Sequence, residues 1–238
     1  MEREVRTLIF DIGGTVFDWN TAIVEALTEV LPEKLAPQVD KAAFSMTCRA
    51  KFLELNTAVM RGTEPWHTSD QMLTRVVAAA WREAGLGELP MDASGTLGRA
   101  WRNMPAWSGA REALALLRTK YVVAPLTILS CTMAVGSSRR NGIDWDLILS
   151  CDVLGVYKPD PRCYIRAAEI LDNSPNEIMM VAAHPSDLRA AIASGYRSAY
   201  ILPRLEDPGE DYSGTDFDEE FDIVARDFGD LAEQLILL

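Results

Sequence analysis

The sequence has few cysteines and histidines, and their spacing is not that of a metal site or a disulfide framework. It contains four cysteines without a Cys-x-x-Cys pair, and two histidines among 238 residues. We therefore expect reduced thiols, no zinc site and a cytoplasmic protein.

Long apolar runs and an excess of basic residues are also missing. No apolar stretch approaches the length that crosses a membrane, and the N-terminus does not have the shape of a signal peptide. The formal net charge is −12, which argues against nonspecific binding to nucleic acid or to an anionic membrane surface. The sequence therefore predicts a protein that binds neither nucleic acid nor membranes.

The first apolar stretch ends in a carboxylate. Residues 7–10 are mostly apolar and run into Asp11, after which Gly13 and Gly14 follow. A short apolar run bounded by glycines is typical of a buried strand. The carboxyl end of such a strand is where open α/β sheets bind ligands, so Asp11 is a candidate nucleophile or metal ligand. The alternative is an ordinary aspartate at a strand-to-helix turn.

The order of the remaining patterns predicts an α/β protein with a doubly wound parallel sheet and an inserted helical cap. Apolar residues at helical spacing predict helices over residues 20–31, 42–60, 70–84 and 93–103. From residue 108 onward, helices alternate with short β-rich runs, which predicts a parallel sheet with crossover helices. The core would consist of residues 1–18 and 109–238, and the cap of residues 19–108. We predict that the acidic, turn-rich segment 206–220 is a solvated surface loop without a catalytic role.

Four polar groups are predicted to converge at the carboxyl ends of the strands. They are a carboxylate, a hydroxyl, an ammonium and a second carboxylate, from Asp11, Thr127, Lys158 and Asp187. An aspartate that attacks, a lysine that offsets its charge and groups that orient the substrate are sufficient for covalent catalysis. Taken singly, the last three could be two helix caps and a surface lysine.

These residues, in this order, resemble the four motifs of the haloacid dehalogenase superfamily. Further stretches resemble its 2-haloacid dehalogenase branch, and the likeness covers nearly the whole chain apart from the acidic segment. The stretches are residues 17–19, 62–66, 145–146, 157–161 and 179–184, whereas residues 11–16 contain the first of the four superfamily motifs.

The resemblance implies a role for each matched residue. Asp11 would be the nucleophile that displaces halide from carbon and forms an ester, and Lys158 would hold it ionised. Thr15 and Thr127 would be the hydroxyls of the first two motifs, and Asp187 would help to position the hydrolytic water. The groups expected near the substrate and the halide are Arg49 of the cap, Ile12, Gly13, Ile128, Tyr164 and His184. The role of His184 stays open between a group that positions water or acts as a base and a packed loop histidine.

The sequence departs from the family pattern at three points. Gly13 stands where phosphatases of the superfamily place a second aspartate and where dehalogenases place an aromatic residue. Ile128 replaces an asparagine that donates to halide, so Arg49 would hold the halide nearly alone. Thr127 is assigned as the hydroxyl of the second motif by its spacing to Lys158, and Ser130 is the rival choice.

The resemblance and the residue types together predict hydrolysis of short 2-haloalkanoic acids to 2-hydroxy acids. The partner would be a small-molecule 2-haloacid, with no metal and no organic cofactor, and the family often forms homodimers. The alternatives are a phosphatase that uses magnesium and a noncatalytic or diverged family member that binds a small carboxylate.

Overall fold

A six-stranded parallel sheet forms the centre of the computed structural model, which describes residues 4–205, 207–212 and 214–237. The strand order is β3-β2-β1-β4-β5-β6. The strands are β1 (Thr7–Phe10), β2 (Val122–Thr127), β3 (Leu149–Ser150), β4 (Ile178–Ala182), β5 (Arg197–Ile201) and β6 (Ile223–Ala225). β1 has β2 on one side and β4 on the other, so the order of connection reverses at its carboxyl end. The α/β doubly wound fold is confirmed.

Ten α-helices accompany the sheet in the described part of the chain. They are α1 (Trp19–Val30), α2 (Lys41–Met60), α3 (Ser69–Glu83), α4 (Met91–Gly98), α5 (Ala110–Leu117), α6 (Cys131–Asn141), α7 (Cys151–Leu154), α8 (Pro161–Ile170), α9 (Pro185–Ala193) and α10 (Phe228–Leu237). Both ends of α1, α2 and α3 lie within two residues of the positions predicted for them. The helix predicted over 93–103 is instead divided, because Arg99 N bonds to Thr96 O at 3.1 Å and the chain continues as a 3₁₀ turn over Ala100–Arg102.

Helices α1 to α4 lie between β1 and α5 in sequence, and two connecting segments tie them to the sheet. The outgoing and returning segments pair at Phe17 and Ala106. Asp18 N donates to Pro105 O at 2.8 Å, and Trp107 N donates to Val16 O at 3.0 Å. The chain thus leaves and re-enters the core at adjacent points.

The burial of β1 explains why its sequence is apolar without alternation. Its last three residues, Leu8, Ile9 and Phe10, are fully buried, as expected for a central strand with both faces covered. Among the described helices, none is long and apolar enough to cross a membrane.

The C-terminal part of the chain differs from the sequence-based expectation. The prediction that 206–220 is a solvated loop is wrong for Asp207, Phe217 and Glu210, of which the first two are buried and the third is partly buried. Glu206 and Ser213 lie outside the described residues. The segment is followed by β6 and α10, which the sequence patterns did not indicate.

Candidate active site

Asp11 lies at the carboxyl end of β1, buried and held by hydrogen bonds. Its backbone N donates to Val181 O at 2.9 Å, which continues the pairing of β1 with β4. Its Oδ2 accepts from Thr15 Oγ1 at 2.9 Å, and its Oδ1 accepts from Lys158 Nζ at 3.0 Å. Thr15 Oγ1 in turn accepts from Ala183 N at 3.0 Å. Both carboxylate oxygens are thus oriented before any substrate arrives.

Lys158 joins Asp11 to the second carboxylate of the site. Its Nζ also donates to Asp187 Oδ2 at 2.5 Å, and Asp187 Oδ1 accepts from Tyr164 Oη at 2.5 Å. Asp187 lies in the first turn of α9, and Tyr164 lies in α8. The predicted residues therefore form one continuous network, although they come from three separate parts of the sequence, namely Asp11, Lys158 with Tyr164, and Asp187.

The network keeps Asp11 ionised. Burial alone would raise the pKa of Asp11, but the charges of Lys158 and His184, with the hydrogen bonds from Lys158 and Thr15, outweigh it and lower the pKa. Burial works against the charge of Lys158, but the carboxylates of Asp11 and Asp187 outweigh it, so the pKa of Lys158 is raised. Asp11 is a carboxylate at neutral pH and therefore a competent nucleophile.

The Gly13–Gly14 turn presents a carbonyl beside Asp11. Gly13 O accepts from Arg49 Nη2 at 3.3 Å and is 3.2 Å from His184 Nε2. Gly14 has φ of 97°, and a Cβ there would lie 3.1 Å from His184 Nε2, so this position requires glycine. Gly13 has room for a larger residue, because a Cβ there would meet only Leu129 and Arg49, at 3.5 and 3.8 Å.

The side chain of Arg49 reaches the site from α2, and its guanidinium is already paired with an acidic side chain. Arg49 Nε donates to Asp207 Oδ1 at 2.8 Å, and Arg49 Nη2 donates to Asp207 Oδ2 at 2.6 Å. Both side chains are buried. The expectation that segment 206–220 stays in solvent is therefore corrected here, because two buried cations attract its acids into the cleft.

His184 is the second cation that attracts this segment. Its Nδ1 lies 3.2 Å from Glu210 Oε2, and its Nε2 lies 3.7 Å from Asp11 Oδ2 and 3.9 Å from Asp207 Oδ2. Burial alone would lower the pKa of His184, but Asp207, Glu210 and Asp11 together raise it to about 9. His184 is therefore an imidazolium at neutral pH, and both ring nitrogens donate. In this state it cannot accept a proton as a base, and the choice between a group that positions water and a packed loop histidine stays open.

The other predicted residues line the site through backbone atoms or by packing. Ile12 is buried, and its carbonyl accepts from Val16 N and Phe17 N at 3.1 and 2.8 Å, which closes the turn after Asp11. Ile128 O accepts from Ser69 Oγ of α3 at 2.5 Å. Its side chain has no hydrogen-bond donor, as the sequence already indicated.

The structure distinguishes the two candidates for the second-motif hydroxyl by their positions. β2 ends at Thr127, whose Oγ1 accepts from Leu129 N at 3.1 Å. Ser130 is the N-cap of α6. Thr127 is thus the residue at the strand end.

Sequence reasoning missed Asp207, Glu210 and Trp19. The signal for the two acids was indirect, since Arg49 and His184, if buried together, require counter-charges. Trp19 Nε1 and Arg49 Nη1 are buried donors without a hydrogen-bond partner in the described structure, and the Arg49 guanidinium lies 5.4 Å from the centroid of the Trp19 ring. Both donors lie against the Gly13–Gly14 turn.

The donor set does not fit a magnesium ion of the phosphatase kind. Asp11 and Asp187 each have one oxygen on Lys158, and their other oxygens accept from Thr15 and Tyr164. The Lys158 ammonium therefore already binds the two carboxylates that a magnesium ion would need as ligands, and Gly13 provides no third carboxylate. His184, Asp207 and Glu210 also lie close enough together to hold a metal, but both carboxylate oxygens of Asp207 already accept from Arg49.

Comparison with known proteins places this geometry in a family. The family model of haloacid dehalogenase-like hydrolases matches residues 5–195. The chain is 29% identical over 209 residues to (S)-2-haloacid dehalogenase 4A of Burkholderia cepacia, covering 84% of each. A crystal structure of an L-2-haloacid dehalogenase aligns with a TM-score of 0.89 and 29% identity, covering 98% of this chain and 100% of that one. That of a defluorinating L-2-haloacid dehalogenase aligns at 0.87 with 32% identity, covering 98% and 96%. The chain belongs to the family of haloacid dehalogenase-like hydrolases.

Proposed function

We propose that this hydrolase converts short 2-haloalkanoic acids to 2-hydroxy acids through an ester on Asp11. The observation that carries the proposal is the buried, ionised Asp11 held by Lys158, with Gly13 in place of a second acid. Displacement at carbon needs an anionic nucleophile in a dry pocket and no proton donor for the leaving halide. The named dehalogenase relatives support the same substrate class.

The residues act in two steps. One oxygen of the Asp11 carboxylate attacks C2 of the substrate, the carbon–halogen bond breaks, and the halide leaves with the electron pair. Water then attacks the ester carbonyl carbon of Asp11 and the ester C–O bond breaks. One proton of the water passes to the departing oxygen, which gives the 2-hydroxy acid, and the other is released to solvent. Lys158 and Thr15 hold the Asp11 carboxyl group in both steps, and Asp187, oriented by Tyr164, positions the water.

Helices α1 to α4, within residues 19–108, would act as a cap on the core of 1–18 and 109–238. Support comes from Arg49, which extends from α2 to Gly13 O and Asp207 of the core. A cap in this place excludes water until the ester forms. We further propose that the reaction needs no metal or organic cofactor, because Lys158 supplies the charge beside Asp11. A cytoplasmic location and a homodimer stay predictions.

Halide release tests the proposal. Fluoroacetate, chloroacetate and each enantiomer of 2-chloropropionate are incubated with the protein in EDTA. We expect release by the unaltered protein, none by Asp11→Asn, and full release by Asp222→Asn, which removes a carboxylate that pairs with Arg197 away from the site. Release by Asp11→Asn, or loss of release in EDTA that magnesium restores, would contradict it.

A further inference from the structure

Arg49 already makes the contacts that an arginine makes with a carboxylate ligand. Its Nε and Nη2 bind the two oxygens of Asp207 in a parallel, bidentate arrangement, at 2.8 and 2.6 Å. This is the geometry in which arginine recognises carboxylates in general. A second carboxylate cannot use the same two donors while Asp207 occupies them.

The charges of the site also oppose a further anion. The cluster contains the buried carboxylates of Asp11, Asp187 and Asp207 and the partly buried carboxylate of Glu210. Against these four negative charges stand three cations, Lys158, Arg49 and His184. The cluster therefore has a net charge of about −1. If the cluster kept all these charges, an anionic substrate that entered it would be repelled by the carboxylates in a low-dielectric environment.

We propose that Asp207 is an intramolecular surrogate for the substrate carboxylate, bound to Arg49 in the free protein and exchanged for the carboxylate of the incoming acid. Asp207 is then a specificity-determining residue, since it sets how tightly a carboxylate must bind in order to displace it. The identity of the ligand as a 2-haloacid rests on the proposed function, whereas the exchange itself requires only a small carboxylate.

The surroundings of Asp207 allow such an exchange. Pro208, the next residue, lines an open cleft of about 480 Å³ together with Ala50, Leu53 and Thr57 of α2, so there is space beside the segment into which it can move. Gly209 follows at φ of 87° with no atom within 4 Å of an added Cβ. Arg49 meanwhile keeps its bond to Gly13 O and its contact with Trp19, which hold the guanidinium in place.

The exchange keeps the charge of the site constant. When Asp207 leaves Arg49 and a substrate carboxylate takes its place, the number of negative charges beside Arg49 does not change. Arg49 Nη1, buried and without a partner, stays free for another group of the substrate. The acidic segment therefore neutralises Arg49 in the absence of substrate, when a buried, unpaired guanidinium would be unfavourable.

Rescue by an added carboxylate tests the proposal. Asp207→Ala removes the surrogate and leaves Arg49 unpaired, so its melting temperature should fall. Acetate should then raise that temperature more than chloride at equal ionic strength, and acetate should bind about tenfold more tightly than to the unaltered protein, as expected for loss of a competing charge. The control is Asp222→Ala, which removes an exposed carboxylate that accepts from Arg197 and Ser198. Acetate should raise the melting temperature of Asp222→Ala no more than chloride does.

Equal effects of acetate on Asp207→Ala and Asp222→Ala would overturn the proposal, as would acetate binding that is unchanged or weaker than in the unaltered protein. If Asp207→Ala does not fold, Asp207→Asn serves in the same assay, because it keeps the side-chain shape and removes the charge. Acetate is not a haloacid, so this result is independent of halide release. Failure of rescue with intact halide release refutes only the role of Asp207, and rescue without halide release from any haloacid refutes only the proposed reaction.

Discussion

Replacing Lys158 by methionine should damage both stability and chemistry. The Lys158 ammonium is buried, 3.0 Å from Asp11 Oδ1 and 2.5 Å from Asp187 Oδ2. At an effective dielectric constant of about 20, the attraction over 3.0 Å is about 5.5 kcal/mol. Removing one partner of a buried ion pair costs about 3–5 kcal/mol, because the other charge stays buried. Lys158→Met leaves two neighbouring carboxylates, and one of them should take up a proton.

The pH dependence of this effect has a defined sign. The folded-state pKa of Asp11 lies below the ordinary aspartate value of 3.8, so its charge stabilises the folded protein above that pH, and the contribution is lost as the pH falls through the folded-state pKa. The free energy of unfolding of Lys158→Met should therefore be lower by about 3–5 kcal/mol at pH 7, with a smaller difference below pH 4. If about 3 kcal/mol of this falls on the ionised nucleophile, halide release at pH 7 should drop by about 10²-fold.

Urea unfolding followed by circular dichroism, together with halide release from pH 5 to 9, measures both effects. Lys51→Met is the matched control, because the Lys51–Glu83 pair at 2.7 Å is substantially exposed and should contribute less than about 1 kcal/mol. A Lys158→Met protein that loses no more stability than Lys51→Met and releases halide at the unaltered rate would refute the reasoning.

Three further changes test other parts of the site. Tyr164→Phe removes the 2.5 Å hydrogen bond to Asp187 Oδ1 and should slow ester hydrolysis by about 10–100-fold. Tyr196→Phe, which loses a 2.6 Å hydrogen bond to Tyr164 O, should cost similar stability without slowing ester hydrolysis. Equal rates of ester hydrolysis by the two variants in single-turnover assays would contradict this. The pKa of His184 is raised to about 9, so its stabilisation is complete below pH 6.5 and lost as the pH rises to 9, by at most about 3 kcal/mol. His184→Gln should remove this slope in urea unfolding, and an unchanged slope would assign it to another group. Gly14→Ala should destabilise by about 1–3 kcal/mol, because φ is 97° and the new Cβ lies 3.1 Å from His184 Nε2. Gly62→Ala, at φ of 71° in open space, should cost about 1 kcal/mol. If thermal unfolding shows equal losses of stability for the two variants, the close approach of Gly14 to His184 does not contribute.

The parts of the site that sequence reasoning located are those fixed by local pattern. Asp11 follows an apolar run that becomes a central strand, and Asp187 lies in the first turn of a helix after another such strand. Lys158 precedes a Pro-Asp-Pro stretch that starts α8. In a parallel sheet these strand ends must converge, so their order along the chain was sufficient to bring them together.

The pairing of Asp207 with Arg49 could not be predicted in this way. The two residues are 158 positions apart, and a stretch of acids, proline and glycine has the composition of a solvated loop. Whether such a segment enters the cleft depends on the buried cations it meets there, which is a property of the tertiary structure. The strand β3 has only two residues, because only Leu149 and Ser150 pair with β2.

Transfer of solvent oxygen into Asp11 tests the ester most directly. The protein, in excess over 2-chloropropionate, is allowed a single turnover in water enriched in ¹⁸O, and the peptide that contains Asp11 is weighed by mass spectrometry. Because water attacks the ester carbonyl of Asp11, we predict that the label enters the Asp11 carboxylate and that the 2-hydroxy acid of this first turnover is unlabelled. Label in the product with none in Asp11 would mean that water attacks the substrate carbon directly, and would contradict covalent catalysis by Asp11.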